Sequence, residues 1–165
     1  MKKIISLILI AVMLFAFAAC GGKNPDTVGY NMLAQFEELA KADDATALSI
    51  AEALITDESI PFMGMAMPVE EGYQMGFDNT EIKGFEAGAA FAPMIGSIPF
   101  IGYVFDLADD ADVDAFIETL ESNANLRWNV CVEADEMVTG SVGDKVFFIM
   151  CPSSFEEEGG EGSEE

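Results

Sequence analysis

The chain contains no histidine, and basic residues are scarce: seven Lys and Arg stand against thirty Asp and Glu over 165 residues, a formal charge of −23. The first absence removes Ser-His-Asp and Cys-His nucleophile systems, His-ligated zinc and every His general base. The second removes nucleic-acid binding, which needs a basic face to neutralise phosphate. A phosphate-cradling loop is also missing, since Gly140-Ser141-Val142-Gly143-Asp144-Lys145 lacks the required spacing. So is the Gly-x-Ser-x-Gly elbow of a serine hydrolase. Length and a 51% hydrophobic content leave room for a single domain with a core.

The first twenty residues carry an address. Met1-Lys2-Lys3 is cationic, Ile4 to Phe17 has no charge, and the small residues Ala18-Ala19 precede Cys20. The order of a basic, an apolar and a small-residue region is that of a secretory signal peptide. The apolar run falls short of the roughly 20 residues that a spanning helix requires. Phe17-Ala18-Ala19-Cys20 resembles the lipobox of bacterial lipoproteins, with Phe17 where Leu is usual. That resemblance implies cleavage after residue 19 and a diacylglyceryl group on Cys20, whose two chains hold a protein on a bilayer where one would not. The expected location is the outer face of the cytoplasmic membrane, and the expected membrane contact is the lipid alone, because so acidic a chain is repelled by anionic surfaces. Residues 20–25 read as a lipidated tether. With Cys20 modified, Cys131 and Cys151 remain in an oxidising compartment, where they form one disulfide or stay as two free thiols packed like small apolar residues.

Residues 26–155 read as one α+β domain. Met32, Leu33, Phe36 and Leu39 share one face of a helix opening at Asp26-Thr27, and Ala47, Leu48, Ala51, Leu54 and Ile55 share one face of a second, capped by Asp43-Asp44. From Ile60 to Phe77 four Met, two Pro and several Gly leave neither helical nor strand period dominant; a strand and turn are expected, with the Met residues as core filler. A short helix is expected over 78–90. Ala87 to Phe105 has no charge, yet Pro93, Pro99 and its glycines exclude a spanning helix and point to a turn at 94–97 before a buried strand, Pro99 to Leu107. Val113, Phe116, Ile117 and Leu120 mark a helix from Asp112 to about Ala124, and 137–142 with 145–151 a hairpin turning at Gly143-Asp144. The expected architecture is two N-terminal helices and a small antiparallel sheet with a C-terminal hairpin and one packed helix. Residues 156–165 hold six acids and no apolar side chain, a composition expected to be disordered.

The strand Phe100 to Leu107, the helix opening Asp112-Val113-Asp114-Ala115-Phe116, then Ala134-Asp135-Glu136 and Val146-Phe147-Phe148-Ile149-Met150 resemble a family of small uncharacterised lipoproteins of Gram-positive anaerobes. The resemblance spans roughly residues 45–151 and implies the α+β fold and an envelope location. It implies no functional residue.

The remaining chemistry lies in carboxylates. Over 110–121, Asp110, Asp112, Asp114, Glu118 and Glu121 fall at positions 1, 3, 5, 9 and 12 of an EF-hand-like loop. Ala115 stands where that loop needs Gly, and the helical period starts at Val113, so the acids read first as a solvated turn and favourable charges at a helix start. A looser Ca²⁺ site drawing on Asp106, Asp109, Asp110 and Asp112 is the alternative, making the turn 106–121 a divalent-cation module. The pairs Glu37-Glu38, Glu70-Glu71 and Glu133 with Asp135 suit acid–base hydrolysis only if two of them face each other across a cleft. Trp128 reads as core or as a stacking platform. The function expected is that of a non-enzymatic, lipid-anchored envelope protein that binds something or supports another surface component, an envelope protein being one candidate partner.

Overall fold

A computed structural model of the chain describes residues 25–129 and 131–155. The signal segment, Cys20 and the acidic tail 156–165 lie outside the described residues.

Helix α1 (Val28–Leu39) and helix α2 (Ala47–Ile55) form as their apolar spacing predicts, burying Met32, Leu33 and Phe36 from one and Ile50, Ala51, Leu54 and Ile55 from the other. The cap of α2 differs from expectation. Asp43 and Asp44 lie upstream and exposed, while Thr46 accepts from the Ser49 amide, and the Ser49 hydroxyl accepts in return from the Thr46 amide. This reciprocal arrangement satisfies two backbone donors that no helical carbonyl reaches.

The sheet is larger than the sequence indicates. Strands β1 (Gly64–Val69), β4 (Ala87–Pro93), β5 (Ile101–Asp106), β6 (Glu136–Val142) and β7 (Lys145–Cys151) form one antiparallel sheet in the order β1-β4-β5-β7-β6. Strands β2 (Gly72–Tyr73) and β3 (Glu81–Ile82) pair apart from it. The helix expected over 78–90 does not form: its Ala-rich end becomes β4, an instance of tertiary pairing overriding the helix propensity of alanine. The uncharged run from Ala87 accordingly splits into β4 and β5, and no helix among the described residues is long and apolar enough to cross a membrane. The hairpin closes as expected, with Val142 opposite Lys145 and Gly143 at a φ of 63°, where a Cβ would be strained.

Two cores flank the sheet. On one face Ala89, Phe91, Val104, Phe147 and Ile149 meet α1 and α2. On the other, Tyr103, Phe105, Phe148 and Met150 meet Phe77, Ile82, Phe85 and helix α3 (Val113–Asn123), which contributes Phe116 and Leu120. Covering on both sides explains why β5 and β7 read as unbroken apolar runs instead of alternating. At the centre Gly102 faces Phe91 in register, and a Cβ on Gly102 would fall 2.0 Å from the Phe91 ring. The glycine is the space into which that ring packs.

Candidate functional site

The second face of the sheet is covered unevenly. Helix α3 packs over β6 and β7, and the segment carrying Phe77, Ile82 and Phe85 fills in beside it. Neither reaches β1. Alternation along β1 turns Ala66 toward the helices and Met65 and Met67 to the opposite side, where Met65 stands across from Ala92 and Met67 across from Ala90. The outcome is an apolar hollow of about 180 Å³ with Met65, Met67 and Met75 at its rim and Ala90, Ile101 and Tyr103 beneath. Tyr103 is buried, and its hydroxyl donates to the Met75 carbonyl at 2.8 Å, tying the segment after β2 to the floor. Burial holds its phenol well above the ordinary range, so it stays protonated and serves as a donor.

Met63, Met65, Met67, Met75 and Met94 are all exposed, Met63 by 75% and Met75 by 63%, together with Tyr73 and Ile95. Core filler was the expectation for the segment 60–77, and the structure overturns it. The reason is positional: no strand among the described residues pairs beyond β1, which is an edge strand, and its stretch around Met65 and Met67 lacks a covering layer of described residues on this side. Single exposed apolar side chains are ordinary, but a contiguous group of flexible thioethers is the composition of adaptable contact surfaces.

A polar hollow adjoins at Gln74 and Met75, lined also by Asp78, Asn125, Arg127 and Trp128. Its groups are largely spent on each other. Asn125 donates to Asp78 at 2.6 Å and accepts from the Arg127 amide at 2.9 Å, and the Arg127 guanidinium lies 3.4 Å from Glu133. Trp128 is half-buried against the second core.

The carboxylates singled out from sequence do not assemble. Asp106, at the end of β5, accepts from the Ala47 amide at 2.9 Å and pairs with Lys145 at 2.8 Å. Asp112 caps α3 by accepting from the Ala115 amide at 3.0 Å. Asp114 lies exposed in the first turn of α3, Asp109 and Asp110 lie exposed in the turn before it, and Glu121, near the far end, accepts from the Thr139 hydroxyl at 2.6 Å. The helix begins at Val113, so the backbone that an EF-hand must keep unwound is coiled. Among the described residues no group of three or more Asp, Glu or Cys is placed to hold a metal ion. The paired acids fare alike: Glu133 holds Arg127, and Asp135 accepts from the Ser153 amide.

Nor are Cys131 and Cys151 bridged. Cys151 is buried at the end of β7 and its thiol points to Glu136 at 3.6 Å, whereas Cys131 is exposed. Glu136 has a further structural task, accepting from the Gly29 amide at 2.7 Å and the Thr27 hydroxyl at 2.8 Å. A carboxylate from β6 thereby caps α1, whose own N-cap side chain accepts no bond from the helix.

The class thus defined is a three-layer α+β domain with a bare, Met-rich sheet edge. Comparison with known protein families, with curated proteins and with solved structures finds no match to the chain. The hollow escaped the sequence reading, although Met63, Met65 and Met67 recur at the period of a strand and could have marked one.

Proposed function

We propose that this protein is a non-enzymatic binding module of the cell envelope, anchored by lipid on Cys20 at the outer face of the cytoplasmic membrane, and that it engages a protein partner through the Met-rich face of β1 and β4. The anchor rests on the residues from Met1 to Cys20. The binding role rests on one observation: among the described residues five of the seven large apolar side chains left exposed are Met, and Met65, Met67 and Met75 ring one hollow. Such a surface costs solubility unless something covers it.

Two experiments separate the parts. Cys20→Ser should move the protein from the membrane to the soluble or signal-peptide-bearing fraction; unchanged lipid labelling would refute the anchor. A photo-cross-linking amino acid at position 67 should form an adduct in intact cells, while the same group at the exposed Glu118 on α3 should not. Equal adducts at both sites, or none at 67, would refute the binding face.

A further inference from the structure

We propose that the open edge of β1 takes up an extended segment of the partner protein as an added strand, one with apolar side chains at alternate positions and Lys or Arg near Glu70 and Glu86. The proposal rests on the binding face put forward above and names how that face is used. The Met63 carbonyl accepts from the Met94 amide at 3.0 Å. Because backbone groups alternate sides along a strand, Met65 and Met67 also turn their amides and carbonyls to β4, and Gly64 and Ala66 turn theirs away from it. Pro68 shares that outward register, so the missing proline donor costs the existing ladder nothing. No strand among the described residues pairs with this side. An incoming strand would find the backbone groups of Gly64 and Ala66 unpaired and the Met65 and Met67 side chains alongside.

Charge chooses the occupant. Glu70 and Glu71 continue directly from β1, and Glu86 precedes the facing end of β4; all three are exposed. All four basic side chains among the described residues are already paired with acids, Lys41 with Glu38, Lys83 with Glu81, Arg127 with Glu133 and Lys145 with Asp106. Glu71 is partly committed, accepting from the Gly84 amide at 2.6 Å with Lys83 nearby, whereas Glu70 and Glu86 stand in no ion pair with these four cations. Their negative charge favours a basic segment, opposes a second copy of the chain and opposes an anionic bilayer.

The test uses the full chain in nanodiscs of zwitterionic lipid and a synthetic peptide of about ten residues alternating Lys with Leu, beside a Glu-for-Lys control and anionic phosphatidylglycerol vesicles. Strand addition is expected to slow hydrogen exchange at the Gly64 and Ala66 amides. Ala66→Pro, which removes an outward donor in a register where Pro68 is already tolerated, should weaken binding about tenfold, as should Met67→Glu, which leaves the helix-facing side of β1 unchanged. Glu70→Gln with Glu86→Gln should weaken it and flatten its salt dependence. Binding that ignores Ala66→Pro and leaves both amides exchanging freely would overturn strand addition, and Met67-dependent binding to the vesicles without peptide binding would overturn the choice of occupant. An adduct at position 67 in cells alongside either failure would leave the binding face standing; its absence would remove both.

Discussion

Asp106 and Lys145 stand opposite each other in register at the ends of β5 and β7, Oδ1 2.8 Å from Nζ, with side chains 18% and 16% exposed. The second oxygen of Asp106 accepts from the Ala47 amide, so one carboxylate closes a central strand pair and caps α2.

Removing that carboxylate leaves both partners partly buried and unmatched. Asp106→Ala is expected to cost about 2 kcal/mol, and Lys145→Met about 1 kcal/mol, because Asp106 keeps its bond to Ala47 in the second case. Chemical denaturation should show the loss as a lower midpoint at unchanged slope. Equal losses would mean that the cap contributes nothing.

The same placement bears on cations. Asp106, Asp110, Asp112, Asp114 and Glu121 are distributed over a strand end, a turn, a helix cap and a helix flank. Thermal unfolding at matched ionic strength should therefore give equal midpoints in Ca²⁺ and Mg²⁺, since only binding to the native state raises a midpoint. A rise specific to Ca²⁺ and abolished by Asp110→Asn would establish the cation-module alternative.

Gly102 offers a steric test. A methyl group there enters the Phe91 ring, so Gly102→Ala should destabilise by about 2–3 kcal/mol. Gly96 has nothing within 4 Å of its Cβ position, and Gly96→Ala should stay within about 0.5 kcal/mol of the parent.

Burial first, and the neighbouring Glu136 second, push the Cys151 thiol far above its ordinary value, and it stays protonated and shielded. In the Cys20→Ser chain a disulfide-exchange reagent should titrate one thiol, Cys131, under native conditions and two in denaturant. Two unreactive thiols in denaturant would mean a Cys131–Cys151 bridge.

Tyr103 and Cys151 together set an alkaline limit. Both are raised by folding, from ordinary values of 10.0 and 9.0. Their contribution is complete below those values and declines as pH rises past them, because the unfolded chain then releases protons that the folded chain retains. Stability should fall from about pH 9 upward, and Tyr103→Phe should flatten the decline above pH 10 while losing the bond to Met75. A decline identical in the variant would place the alkaline limit elsewhere.

Much of this was legible in the chain before any folding. Residues that act through neighbours three or four positions away carried their meaning locally: the apolar stripes of α1, α2 and α3, the Asp112 cap, and the Gly143 turn between two runs of strand formers. Composition alone excluded histidine chemistry. The tertiary structure decided what depends on partners far along the chain. Asp106 became a cap and an ion-pair partner because Ala47 and Lys145 arrive beside it, and Glu136 became the cap of α1 because Gly29 does. Ala87–Pro93 became a strand because β1 and β5 flank it. The Met residues of β1 are exposed because that strand lies at the sheet edge and, on the face opposite the helices α1 and α2, no layer of described residues covers Met65 and Met67. Local periodicity fixes which face a side chain takes; only the assembled sheet determines whether anything lies against that face.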